Sequence, residues 1–231
     1  VRIKNGVVTS RDVENALDAA IQAAPSPQLS VLHIEPLRYL IDEEPIADEP
    51  YGQHGKLLAV EACVVTAPTE ALNALKSCIR QAGVEVEEVV AGPRAAGLSA
   101  LTPEEREDGV LLVDIGAGAI GLSVFIGDAL VHAESVNVGG VRLTRDLAAK
   151  LQTTFAAAER VKLHFGAVGK ACDPREAVQA PKLGLDGRLE AATTLRGAIA
   201  ETMTPRLYEM LLMARERLAR AGFSGASGPR R

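Results

Sequence analysis

Asp114-Ile115-Gly116-Ala117-Gly118-Ala119 is the run whose residue types could do chemistry. It follows one apolar stretch and precedes another. Glycines at such a turn let backbone N–H groups approach a phosphate closely. An aspartate at the end of a strand can hold Mg2+ through water. A tight β-hairpin turn with no ligand would show the same spacing, and the run alone leaves both readings open. Glu159 and Lys162 lie three apart in a helical pattern, so they share a face. As a bare pair they read as a solvated ion pair. The cysteines, Cys63, Cys78 and Cys172, have no CxxC spacing, and His33, His54, His132 and His164 are scattered. Neither set makes a zinc site or a disulfide framework. The cysteines read as small buried apolar residues in a reducing, cytoplasmic chain.

The loop at 114–119 needs strands on both sides. Residues 109–115, 122–126 and 129–137 supply them, and Gly127-Asp128 reads as a hairpin turn of the Gly-X kind. A three-stranded antiparallel meander follows. Gly139-Gly140 leads into a helix with Leu143, Leu147, Ala148 and Leu151 on one face, and a second helix is predicted over 155–165. Residues 173–187 read as loop and short strand. A last helix is predicted over 194–221, kinked or split by Pro205, and residues 224–231 as a flexible tail. Ahead of the loop, Ser10 is the expected N-cap of a helix over 11–24, ended by Pro25 and Pro27. Residues 31–41 are predicted as a strand that Pro36 places at an edge or breaks. Residues 42–55 read as loop, 57–66 as strand and 69–82 as a helix closed by Gly83. Residues 84–91 alternate and are predicted as a strand. Short helical stretches follow at 94–101 and at Thr102-Pro103-Glu104-Glu105.

Composition narrows the function classes. The chain has 231 residues, 25 Lys plus Arg against 30 Asp plus Glu, and 47% apolar residues. Such a chain buries a core and is not disordered. A formal charge of −5 argues against a nucleic-acid binder, and three Tyr, four Phe and no Trp argue against a base-stacking platform. The most apolar stretch, 57–67, is too short for a membrane span and is broken by Glu61. Residues 1–10 lack the apolar core of a signal peptide.

The run VLLVDIGAGAIGLSVFIGDALVHAESVNVGG resembles the second phosphate loop of the actin-like ATPase superfamily. Other segments select the FtsA family of cell-division proteins within it. SVLHIEPLRYLIDEEPIADEPYGQHGKLLAVEACVVTAP resembles that family's strand, "YxID" and Pro-x-Gly-x-x-Gly loop. GVEVEEVVAGPRAAGLSALTPEEREDGVLLVDIG resembles its link into the second lobe. VGGVRLTRDLAAKL with AAERVKLHFGAV is similar to its nucleotide-facing helices, and TMTPRLYEMLL to its proline-bearing outer helix. The likeness runs over roughly residues 1–223. It implies an α/β fold, an actin-like ATPase (RNase H-like) lobe with an inserted small α+β (SHS2-type) subdomain. The subdomains would be 1–92 (inserted), 93–166 (nucleotide-facing) and 167–223 (outer).

The resemblance also implies a site. Asp114, Gly116 and Gly118 would surround the β- and γ-phosphates of ATP, with Asp114 toward Mg2+. Gly139 and Gly140 would turn a helix N-terminus to phosphates or ribose. Glu159 and Lys162 would contact ribose and adenine. The implied role is a polymerising adaptor that tethers the FtsZ ring to the cytoplasmic face of the membrane and recruits later division proteins. Its membrane-binding helix would lie beyond the point where this chain stops. This sequence departs from the family's D-I-G-G-G-T-T-D loop: Ala119 and Ile120 occupy the hydroxyl positions and Gly121 that of the second acid. Each lost hydrogen bond to a charged group is worth about 1.5–3 kcal/mol, so ATP is expected to bind weakly or not at all. The start at Val1 and the missing first phosphate loop read as an incomplete fold cut at both ends. Two alternatives stand beside the adaptor: a nucleotide-free interaction fragment, and a superfamily ATPase or sugar-kinase lobe.

Overall fold

The computed structural model describes residues 1–23, 26, 28–47 and 49–223. Ala24 with the helix-ending Pro25 and Pro27, and the expected tail over 224–231, lie outside the described residues. The chain forms two compact units. One comprises residues 1–112 and 122–134, the other 113–121 and 135–231.

The first unit begins with helix α1 (Ser10–Gln22). Its N-cap is Thr9, one residue before the expected Ser10. Thr9 N–H and Oγ1–H both donate to Asp12 Oδ2, at 2.9 and 2.6 Å. An aspartate three residues on makes Thr9 the better cap, because it receives the bonds the cap leaves over. α1 contacts a sheet of order β2-β1-β3, with β1 (Leu29–Ile41), β2 (Glu44–Ile46) and β3 (Leu58–Pro68). β1 and β3 pair antiparallel from Leu29↔Pro68 to Ile41↔Leu58. β2 is a strand where a loop was expected. Asp42 and Glu43, both at positive φ, turn the chain so that Glu44–Ile46 pairs with Tyr39–Ile41. Pro36 sits opposite Ala62, beyond the reach of β2, with a register shift between it and Arg38. A residue without an N–H is tolerated where its outer side has no strand. Ile3, Val8, Val13, Ala16, Ile41 and Leu58 form the core of this layer.

Helix α2 (Thr69–Gln81) ends at Gly83, whose φ of 80° is the left-handed stop the sequence predicted. The strand predicted over 84–91 does not form. The segment carries no ladder, and Val84 and Val90 are 56% and 43% exposed. Alternation specifies a strand only where a neighbour supplies the ladder. Ala91 N–H instead donates to His33 Nε2 at 2.9 Å. Burial holds the His33 imidazole below its ordinary pKa, which favours the neutral ring able to accept that bond. Helix α3 (Gly92–Ala100) and the short α4 (Pro103–Asp108) follow; the latter carries the expected capping box between Thr102 and Glu105.

Strands β4 (Val110–Ile115), β5 (Ile120–Ile126) and β6 (Ala129–Val136) form the meander in that order. Gly127 and Asp128 both have positive φ, 58° and 61°. That is the type I′ pattern and not the expected Gly-X turn, which needs it at the first position only.

In the second unit, α5 (Gly140–Leu151), α6 (Phe155–Phe165) and α7 (Arg196–Arg220) pack together. Leu143, Leu147, Ala158, Val161, Ile199, Met210 and Leu218 are among its buried residues. β7 (Ala177–Gln179) pairs with β10 (Thr193–Leu195), and β8 (Lys182–Leu183) with β9 (Leu189–Glu190). Residues 194 and 195, predicted as helix, therefore belong to a strand. α7 runs unbroken through Pro205, so Pro205 does not split it. All three cysteines are free, and Cys78 is exposed while Cys63 and Cys172 are half-buried, against the expectation of burial. No helix among the described residues is long and apolar enough to cross a membrane.

Candidate functional site

The loop between β4 and β5 is shaped by its own backbone. Gly116 N–H closes it onto the Ala119 carbonyl at 2.9 Å. Its carbonyls then serve the start of α5: Gly140 N–H donates to Gly116 O at 3.0 Å and Val141 N–H to Ala117 O at 2.9 Å. Arg142 N–H bonds to Gly139 O at 3.0 Å. Donors that a helix N-terminus normally leaves open are thus taken inside the chain. The loop's other polarity is open. The N–H groups of Ala117 and Gly118 have no acceptor among the described residues. Successive unbonded N–H groups at a turn are the elements of an anion cradle.

Glycine is required at only some of these positions. A Cβ on Gly139 would lie 2.5 Å from Ala117 O and 2.6 Å from Gly116 O, so this glycine is what lets the loop and α5 touch. A Cβ on Gly116 would stand 3.1 Å from Ala119 O. Around Gly118 nothing lies within 4 Å, which is the approach a bound group needs. The Asp114 carboxylate is exposed and has no hydrogen bond or ion pair among the described residues. Ile120, at one of the two expected hydroxyl positions, is fully buried. Of that pair only position 119, an alanine, stands partly open.

Glu159 and Lys162 are not a solvated pair. Lys162 Nζ lies 2.8 Å from Glu159 Oε2, and both side chains reach Thr144 on α5. Thr144 Oγ1 donates to Glu159 Oε2 in a short hydrogen bond and accepts from Lys162 Nζ at 3.0 Å. Lys162 Nζ also lies 3.4 Å from Gly140 O, so the ammonium stands at the start of α5. The bonds from Lys162 and then Thr144 hold the Glu159 carboxyl below its ordinary pKa. Thr144 is fully buried and was missed in the sequence. Its signal was a hydroxyl four residues after Gly140, flanked by the buried Leu143 and Leu147 on a helix otherwise read for its apolar stripe.

Two clusters result within this unit, the loop with the α5 N-terminus and the Thr144–Glu159–Lys162 triad, joined through Gly140. They can orient an anionic group by backbone N–H and a cation. Among the described residues no group of three or more His, Cys, Asp and Glu gathers to hold a metal by itself.

Two family models match the chain in order. "SHS2 domain inserted in FTSA" covers residues 1–66 and "Cell division protein FtsA" covers residues 111–218. Among curated proteins, the FtsA proteins of Agrobacterium fabrum and Rhizobium meliloti are 34% and 35% identical over 224 residues, 96% of this chain. That of Escherichia coli is 30% identical over 219 residues. The chain spans about half the length of these relatives, 51% of the first. Among solved structures, a PilM–PilN type IV pilus biogenesis complex matches with a TM-score of 0.59 at 21% identity. That match covers 97% of this chain and 55% of the other. MreB5 of Spiroplasma citri bound to AMPPNP matches with a TM-score of 0.56 at 20% identity, over 66% of this chain and 48% of the other.

Proposed function

The chain belongs to the FtsA family of cell division proteins, with an actin-like ATPase fold and an SHS2 domain, and from that premise we propose that it acts as a division adaptor. It would work by binding partners and by nucleotide-sensitive self-association, not by turning over a substrate. The partners of this reading are FtsZ, later division proteins and further copies of the chain, at the cytoplasmic face of the membrane. Residues 1–92 would form the inserted subdomain, 93–166 the nucleotide-facing one and 167–223 the outer one.

The observation that carries the nucleotide half of this reading is the polarity of the 116–119 loop. Its Gly116 and Ala117 carbonyls are spent on α5 and its Ala117 and Gly118 N–H groups are unbonded. An ATP phosphate would be held by those N–H groups, its Mg2+ by Asp114 through water, and its ribose side by Glu159 and Lys162. Bound there, Mg-ATP would supply charge and shape to a polymerising surface. Gly140 and Val141 N–H would add nothing while bonded to the loop, and Ala119 has no hydroxyl to offer. Binding is therefore weak. That same engagement supports a second reading, a nucleotide-free interaction module.

Two measurements test this. Calorimetry with Mg-ATP is expected to give millimolar affinity or no heat, and a micromolar constant would overturn the weak-site reading. Pulldown with the FtsZ C-terminal peptide is expected to retain the chain, and failure would sink the adaptor reading. If Asp114→Ala leaves partner binding and polymer formation unchanged, the nucleotide-free reading replaces the first.

A further inference from the structure

The start of α3 is tied to β1 at two points. Ala91, the residue that caps α3, donates its N–H to His33 Nε2 at 2.9 Å. Three residues on, Arg94 forms an ion pair with Glu35 at 3.5 Å, and both side chains are largely covered. His33 and Glu35 are two apart on a regular stretch of β1, so they stand on one face of the strand. The far end of α3 is held separately. Gly97 lies against the buried Phe125 ring of β5, with no room for a Cβ. All of these residues belong to the first unit. Residues 85–90 make no backbone hydrogen bond among the described residues, so Ala91 N–H is the first donor after Val84 to be held.

That bond depends on one lone pair. Nε2 accepts only while it carries no proton, so the ring is neutral with its proton on Nδ1. A proton on Nε2 turns the acceptor into a donor, and two N–H groups then face each other. The charges around the ring set when this happens. Burial and the Arg94 guanidinium of α3 favour the neutral ring, while Glu88 of the 84–91 segment and Glu35 of β1 favour the charged one. Across the ladder on β3, the residue opposite His33 is the uncharged Val65. Burial and Arg94 prevail, and the folded value lies below the ordinary histidine range. Glu35 is already engaged by Arg94, which weakens its pull on an imidazolium.

We propose that this two-point contact is an acid-sensitive clasp: a proton on His33 Nε2 breaks the bond to Ala91 and frees residues 84–91 and the first turn of α3 from β1. The contact of Gly97 with Phe125 holds the other end of the helix, so the opening is local and reversible. The clasp's stabilisation is present above the ordinary histidine range. It is lost as pH falls through the folded value, because the unfolded chain takes up the proton first. The clasp lies wholly inside one unit and works whether or not the chain binds a nucleotide or a division partner.

The test uses the whole 231-residue chain. In an NMR titration the His33 imidazole is expected to titrate below the ordinary histidine value of about 6.5. Hydrogen exchange, corrected for the intrinsic pH dependence of amide exchange, is read over the same range. Ala91 N–H is expected to lose protection at least about tenfold there, while amides of the β1–β3 ladder keep theirs. His33→Gln offers an acceptor that takes up no proton, and is expected to keep Ala91 protected throughout. Arg94→Gln removes the cation that opposes the charged ring, and is expected to move the His33 titration and the loss of protection to higher pH together. Protection of Ala91 that ignores the His33 titration overturns the proposal. So does a loss of protection in His33→Gln at the pH where the parent chain loses it, or a His33 midpoint in or above the ordinary range. If a variant fails to fold by circular dichroism, the parent chain decides, since the two midpoints must coincide in it.

Discussion

A methyl group at Gly139 would meet two carbonyl groups of the 114–119 loop, at 2.5 and 2.6 Å. Backbone cannot swing aside as a side chain can, so Gly139→Ala is expected to destabilise the fold by roughly 1–3 kcal/mol. Gly118→Ala, with nothing within 4 Å, is expected to stay within about 0.5 kcal/mol. Urea denaturation of the two variants reads the difference directly, and equal effects would refute the account of the loop. Glu159 carries a pH dependence with a definite sign. Its folded pKa lies below the unfolded one because Lys162 and Thr144 bond its carboxylate. Its stabilising contribution is therefore present above the ordinary glutamate range and is lost as pH falls through the folded value. Thermal melts across acidic pH are expected to show Glu159→Gln with a shallower acid loss than the parent chain. Asp114, Gly116 and Gly118 were visible in the sequence because glycines between two apolar runs announce a loop. Thr144 was not, since one hydroxyl inside an apolar stripe looks the same whether it bonds its own turn or a neighbouring helix.

At the scale of elements, most boundaries could be read because caps, glycine stops or periodicity mark α2, α4, α5 and α6. The failures share a cause. β2 hid among prolines, and its pairing depends on Asp42 and Glu43 entering the left-handed region, which their residue types only weakly announce. The 84–91 segment has the pattern of a strand and lacks the neighbour. Pro205 was expected to kink or split the last helix, and the split does not occur, since α7 runs on through it. The 84–91 segment also yields a prediction. It is exposed, without a ladder, and carries Glu85, Glu87 and Glu88. Limited digestion with a glutamate-specific protease is expected to cut there before it cuts at Glu35 or Glu61 in the β1–β3 pair. First cleavage within β1 or β3 would contradict the fold described.

At the scale of the whole molecule, the chain forms two compact units. Leu58 belongs to the cluster built on Ile3, Val8 and Val13, and Ile199 is buried on α7 in the other unit. Each is fully buried, so Leu58→Ala and Ile199→Ala are each expected to cost about 2–5 kcal/mol. The double variant is expected to lose the sum within about 0.5 kcal/mol, as substitutions in different compact units do when they act independently. A clear departure from the sum, measured by denaturant titration, would show that the cores are energetically one. A last consequence comes from the loop being held by main chain alone. Gly116, Gly140 and Val141 N–H groups fix its path, and only Gly139 and the buried Ile120 are committed side-chain positions. Ala119 can therefore change identity while the shape persists. Ligand chemistry at this turn is inherited separately from architecture: a lineage can shed its affinity for a phosphate, or regain it, through substitutions that leave the scaffold intact.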